Sequence, residues 1–388
     1  MLAFAALLAS GQMLGLAVSL LLRGVELGRG ARLGLLVSLA AVRSDITVTF
    51  APSFPGSTIL PAARLQSHIV PMVLTIVFVW LAARAGRRAA KAWPEAPALA
   101  RAAVAAVGAG LVAGFAAALA ARLAAFSFPG VQLTVAADAA SAAIWSGGLA
   151  GVAAGAGAGL AGAHGRLGAD VLRGGVTAYL WTLGLLVVGV LVVATLEPDA
   201  TRVYVDGLRG FGPAGAAWFG AHVLSLPTQS ALLLVPASGS CLDVIAAGST
   251  AAHLCPWSLD AISPLAKAVL PSDPLELSPA SWILLAVPAI SATLGGWRAG
   301  VKQAPVAAIG RGVGSGIAFA TLAMLGVLFA SVRIVVPSLA GWLTLEIGGW
   351  SWGAAGVLCV WGVAGGALGG WLARRRCEDP GAPRPTSA

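Results

Sequence analysis

Apolar runs, each of roughly the 20 residues a helix needs to cross hydrocarbon, alternate along this chain with short polar or basic stretches. They lie near Leu2 to Leu22, Ile69 to Ala85, Ala102 to Phe126, Ala137 to Ala163, Thr177 to Leu196, Ala280 to Gly296, Val306 to Ser331 and Trp350 to Leu372. The pattern predicts an all-α integral membrane protein of about eight transmembrane helices.

The runs fall into two ordered sets of four. "RAG" at Arg84 to Gly86 recurs at Arg298 to Gly300, Arg101 is answered by Arg311, Pro129 by Pro337, and Leu133-Thr134 by Leu343-Thr344. An ordered series of matches reads as an internal duplication. The organisation expected is a first membrane repeat over 1–172, a second over 173–376 with an exterior loop at 237–279, and a disordered cytoplasmic tail at 377–388.

Between the first and second helix of each half the pattern loses its regularity. The stretches are "LLVSLAAVRSDITVTFAPSFPGS", Leu35 to Ser57, and "HVLSLPTQSALLLVPASGS", His222 to Ser240. Pro52, Pro55, Pro227 and Pro236 oppose a straight helix, while "DITVTF" alternates as a strand does. A re-entrant or interfacial segment is expected in each half, and irregular backbone at that depth has to line a cavity or be buried in protein.

The last helix of each half carries glycine on one stripe: Gly147, Gly151, Gly155 and Gly159 in one, Gly362, Gly366 and Gly370 in the other. In water such a helix would be weak. In lipid a bare face lets another helix approach closely, so the stripes read as packing surfaces, with a conduit or hinge as the alternative. "GRGVGSG" at Gly310 to Gly316 lacks the lysine and hydroxyl of a phosphate-binding loop and reads as another small helix face.

Charge sets the topology. Of the 388 residues, 58% are apolar and 10% charged, and the net charge is +9. The basic residues sit between apolar runs, which is the positive-inside bias and not a nucleic-acid surface. Arg84, Arg87, Arg88, Lys91 and Arg101 in one half, and Arg298, Lys302 and Arg311 in the other, put corresponding loops in the cytoplasm with the stretch His164 to Arg173 and the terminal Arg374 to Arg376. Both halves then share one orientation, so the repeats are parallel, with both termini cytoplasmic in a plasma (inner) membrane. Arg23, Arg29 and Arg32 after the first helix vote the other way. If residues 33–50 also crossed, the count would be nine and the N-terminus would face out. The apolar start reads as a first helix, not a cleaved signal, and begins as if residues ahead of it were missing. Alanine, glycine and arginine are abundant and asparagine is absent, a skew that suggests a GC-rich bacterial genome.

Candidate chemistry is sparse. No His-Glu-x-x-His motif, Ser/His/Asp ordering or ATP-binding motif occurs, so no catalytic residue, metal or cofactor is assigned. Cys241 and Cys255 lie in the exterior loop, where a disulfide would persist; free thiols, or zinc with Asp243, His253 and Asp260, are the alternatives. The candidate polar site is Arg43, Ser44, Asp45, Thr47, Thr228, Gln229 and Ser230, drawn from the two irregular stretches, with Arg43 suited to an anionic group. The bland reading makes Arg43 and Asp45 an interfacial pair. The function expected is a non-enzymatic cell-envelope or assembly factor, and the alternative is a small-solute or lipid transporter with its site between the repeats. The partners implied are the lipid bilayer and, for an assembly role, another membrane protein. Oligomeric state is left open.

Overall fold

A backbone in hydrocarbon has no water to bond, so it must satisfy its own amides, and this chain does so mostly with helices. The computed structural model describes residues 5, 7–10, 12–13, 27–50, 63–67, 70–128, 133–161, 167–196, 202, 206, 213–246, 248–263, 267, 275–276, 279–301, 305–338, 341–348 and 352–378. In chain order these form α1 (Leu27–Ala41), β1 (Ile46–Phe50), β2 (Ala63–Ser67), α2 (Met72–Ala92), α3 (Ala98–Ala124), β3 (Phe126–Phe128), β4 (Leu133–Ala137), α4 (Ala139–Gly159) and α5 (Leu167–Leu196). There follow α6 (Pro213–Ala237), β5 (Leu242–Ala246), β6 (Ser249–Leu254), β7 (Ser258–Ala261), β8 (Leu275–Glu276), a 3-10 turn at Pro279–Leu285, α7 (Ala286–Gly300), α8 (Pro305–Ala330), β9 (Val332–Ser338), β10 (Gly341–Ile347) and α9 (Trp352–Glu378).

Six helices are long and apolar enough to cross a membrane: α3, α4, α5, α7 with its preceding turn, α8 and α9. The chain is therefore a multi-pass membrane protein. Of the first expected span, Leu2 to Leu22, residues 5, 7–10 and 12–13 are described, all of them helical, and the rest lie outside the described residues. The second corresponds to α2, whose C-terminal half carries Arg84, Arg87, Arg88 and Lys91.

Two compact units share the chain. The first comprises Met1–Gly162, Arg202–Thr228 and Val332–Glu346, the second Ala163–Thr201, Gln229–Ser331 and Ile347–Ala388. In the first, α1 to α4 surround Leu36, Leu39, Val42, Phe78, Ala117 and Ala121. Its strands run in the order β3-β4-β1-β2-β9-β10; β1 pairs antiparallel with both β2 and β4, placing Val48 opposite Val135 and Thr49 opposite Thr134. In the second, α5, α7, α8, α9 and the end of α6 enclose Leu186, Leu234, Phe319, Val327 and Leu358. Its sheet is the antiparallel series β5-β6-β7-β8.

The expectation of irregular backbone after the first helix of each half is corrected for the described residues. Residues 27–41 and 213–237 are helical, and each helix hands over through a tight turn to strands. Pro227 and Pro236 lie inside α6. Each proline forfeits a single helical hydrogen bond, and α6 runs on through both. The alternation of "DITVTF" is that of β1. Pro52 and Pro55 lie outside the described residues, as do 379–388 of the expected tail; Cys377 and Glu378 belong to α9.

Between helices, the glycines bring backbone against backbone. A Cβ at Gly147 would come within 2.9 Å of the Gly110 carbonyl oxygen, and one at Gly151 within 2.9 Å of that of Ala106. Gly155 meets the Ala106 methyl at 3.0 Å, and Gly159 that of Ala102 at 3.6 Å. This whole stripe of α4 lies on α3. A second face of α4 lies on α2, where a Cβ at Gly157 would run into the Ala83 carbonyl. In the second unit Gly362 and Gly366 of α9 oppose Gly316 and Gly312 of α8, and Gly370 meets the Ala308 oxygen at 2.6 Å. Gly365 and Gly369 of the same helix lie against Ala292 and Thr293 of α7. Lipid tails are as apolar as leucine, so this close contact is what favours helix on helix over helix on lipid.

Gly148, one residue along from Gly147, has nothing within 4 Å of a built Cβ. Gly151→Leu is therefore expected to cost at least the roughly 1–3 kcal/mol of overpacking, while Gly148→Leu leaves thermal stability in detergent unchanged. Equal loss from both would contradict the assignment of the packed face.

Candidate functional site

The turn after α1 is closed by the hydrogen bonds of a Schellman cap. The amide of Arg43 donates to the Ala40 carbonyl at 2.8 Å, and that of Ser44 to the Leu39 carbonyl at 3.0 Å. This geometry puts its central residue in the left-handed region, normally glycine's place. Arg43 occupies it, with φ 61°, the one non-glycine residue with positive φ among those described. At the end of α6 the same pair of bonds, Gly239 to Pro236 at 2.9 Å and Ser240 to Val235 at 3.3 Å, closes around Gly239 with φ 93°. An L residue there is disfavoured by roughly 1–2 kcal/mol, so Arg43 is held where a glycine would be more stable.

From that turn the chain is stitched to the start of α4. Asp138 caps α4, its carboxylate accepting from the Ser141 amide at 2.6 Å. The Asp138 amide donates to the Asp45 carbonyl at 2.8 Å, and the Ser44 hydroxyl to the Asp138 carbonyl at 3.3 Å. Ser141 then closes the loop: its hydroxyl donates to the Asp45 carboxylate at 3.1 Å and accepts from the Asp45 amide at 3.2 Å. One turn further along α4, the Trp145 ring lies 4.8 Å from the Arg43 guanidinium carbon. Burial pulls the Arg43 pKa below its ordinary value, while the charges of Asp45 and Glu346 act the other way. The result is a half-buried cation with an aromatic face on one side and carboxylates near it. Such a group suits a planar anion, and equally serves as an internal brace.

Of the sequence-derived candidates, Arg43, Ser44 and Asp45 thus come together, but with Asp138, Ser141, Trp145 and Glu346. Thr47 is in β1, opposite Gln66 and Ala136. Thr228 is a clamp elsewhere in the first unit, its buried hydroxyl donating to the Val70 carbonyl and accepting from the Met72 amide at 3.3 Å. Gln229 and Ser230 belong to the second unit. Asp138 is recognisable in the sequence as an acidic residue at a helix start. Ser141 and Trp145 carry no signal of their own, and Glu346 sits in β10.

In the second unit the region after α6 is built differently. Cys241 and Cys255 are disulfide-bonded, with Cα atoms 4.2 Å apart, across the base of the β5–β6 hairpin. The bond engages both sulfurs, so the zinc alternative loses its thiolates. The next pair, Asp243 and His253, meets at 2.6 Å between Oδ1 and Nδ1, and Asp260 lies opposite His253 on β7. Further along the chain, Asp170 at the start of α5 bonds Arg311 of α8 at 2.5 Å and lies 3.5 Å from Arg173. Both members of the Asp170–Arg311 pair are largely buried, and no spacing in the sequence joins them.

Compared with known protein families, with curated proteins and with solved structures, the chain matches none.

Arg43→Gly and Arg43→Ala both remove the side chain, but only glycine sheds the left-handed penalty. The glycine variant is expected to be more stable than the alanine variant by about 1 kcal/mol, read as a difference in unfolding midpoint in the same detergent.

Proposed function

We propose that this chain is a non-enzymatic envelope or assembly factor of a bacterial inner membrane, a scaffold built from two parallel repeats of four spans. The observation that carries the scaffold reading is that the polar groups of the candidate site are turned on one another. Asp45, Ser141, Asp138 and Ser44 exchange hydrogen bonds in a closed set, a clasp that holds a turn to a helix. Thr228 likewise bonds backbone on both sides.

Support for the duplication comes from matching contacts. Gly151 meets Ala106 and Gly110, and Gly362 meets Gly316 and Ala320, which stand at the same spacing from one another. The order helix, strands, two helices, hairpin, helix runs from α1 to α4 and again from α6 to α9. With the N-terminal apolar run and α5 placed ahead of these series, the reading has eight spans and both basic loops in the cytoplasm.

A second reading, a carrier of a small anion, is favoured by one feature: Arg43 is kept half-buried over Trp145 in a conformation that disfavours it. Strain maintained at a site is a pointer to function.

Two experiments test these readings. With Cys359 and Cys377 replaced by serine, Arg88→Cys and Arg298→Cys are expected to resist an impermeant thiol reagent outside intact cells equally; labelling of one alone removes the parallel repeats. For the scaffold, Arg43→Gly is expected to keep normal abundance and to complement a deletion of the gene. Asp45→Ala combined with Ser141→Ala is expected to lower abundance and activity together. Normal abundance of Arg43→Gly with lost complementation would instead favour the anion carrier.

A further inference from the structure

In the second unit α7 and α9 run side by side to their C-terminal ends. A Cβ on Gly369 would run into the Thr293 carbonyl, and one on Gly300 would come within 3.0 Å of the Ala373 methyl. This close contact gathers tryptophan and arginine from both helices at one end of the unit. Arg375 lies over the Trp371 ring, its guanidinium carbon 3.8 Å from the ring centre, and Arg376 lies over Trp297 of α7 at 5.9 Å. Arg298, the next residue on α7, is exposed, as are Arg375 and Arg376.

A guanidinium resting on an aromatic ring uses its flat face, and its N–H donors, which lie in the plane, stay available. Among the described residues these three arginines have no hydrogen bond or ion pair that would take those donors up. Such a fork matches phosphate oxygens, and basic pockets between spanning helices suit anionic lipid headgroups. Behind the cations α9 continues as an apolar stripe. Leu368, Trp371 and Leu372 stand on the side of the helix that carries Arg375 and are 49%, 37% and 42% exposed. The sequence of apolar stripe, indole ring and cation along α9 is that of acyl chain, ester region and phosphate in a phospholipid. The positive-inside bias accounts for basic residues at a helix end, but it is indifferent to what they rest on. We propose that Arg298, Arg375 and Arg376, presented by Trp297 and Trp371, form a binding site for an anionic phospholipid, whose phosphate takes the available N–H donors and whose acyl chain lies along Leu368 and Leu372. The site rests on the chain being a membrane protein, and on neither the scaffold nor the two-repeat reading.

The test titrates the full chain, delipidated in detergent, with phosphatidylglycerol or with phosphatidylcholine of the same acyl chains, and counts bound lipid by native mass spectrometry. Phosphatidylglycerol is expected to be retained about tenfold more tightly. Arg375→Gln combined with Arg376→Gln should remove about tenfold of that affinity, and Trp371→Ala, with every arginine kept, about threefold. Arg87→Gln combined with Arg88→Gln on α2 lowers the net charge by the same amount, also at exposed residues, and should leave retention unchanged. Equal retention of the two lipids, or equal loss from both arginine pairs, overturns the proposal and leaves these arginines to topology alone. Displacement of the lipid by an equal concentration of glycerophosphoglycerol, the headgroup without acyl chains, also overturns it and assigns the arginines to a soluble phosphate. Variants are compared at the parental unfolding midpoint, and if the arginine variant does not keep it, the two lipids on the parental chain decide the outcome.

Discussion

Close approach of backbone to backbone is the constraint on which this molecule depends. Inside a bilayer two helices gain nothing by hiding apolar surface from each other, since lipid covers it as well. What remains is contact density, and each atom pair contributes only about 0.1–0.2 kcal/mol, so helices associate firmly only where many atoms touch. Gly147, Gly151 and Gly155 allow that on α4, and Gly362, Gly366 and Gly370 on α9. α9 goes further, because Gly365 and Gly369 present a second bare face to α7, making it the helix around which its unit is assembled.

The strands solve the complementary problem. Where the chain leaves helix it cannot leave amides unsatisfied, and the segments after α1 and α6 pair into sheets instead of wandering as loops. The turns that lead into those sheets use the same cap and different residues, Gly239 at one and Arg43 at the other. The arginine turn is then secured by Asp138 and Ser141, while the glycine turn is followed at once by the disulfide from Cys241.

Apolar length was the most legible property of the sequence, because a membrane demands it directly, and six of the eight runs coincide with described helices that meet that demand. Glycine spacing on α4 and α9 identified a bare face, but not which helix would lie on it. Pro227 and Pro236 misled, since each forfeits one helical hydrogen bond and α6 nonetheless runs through both. The strands were mostly invisible, being short and deriving their order from pairing between distant segments such as β2 with β9. The partners of Arg43 and Asp45 were hidden for the same reason: Ser141 lies 96 residues from Asp45, and Arg311 lies 141 from Asp170. A serine or an arginine carries no mark of the distant group it will meet.

The division of the chain into units has a consequence for biosynthesis. The first unit draws on Val332–Glu346, and β9 supplies the pairing that continues its sheet beyond β2. At about 5–20 residues per second, tens of seconds separate the emergence of β2 from that of β9. Throughout that interval β2 has an edge without its final neighbour, and an unpaired edge is where strands of different molecules join. The sheet of the nascent first unit thus stays unfinished through most of translation, and only the last seventh, from Val332 of 388 residues, ends its exposure to misassembly.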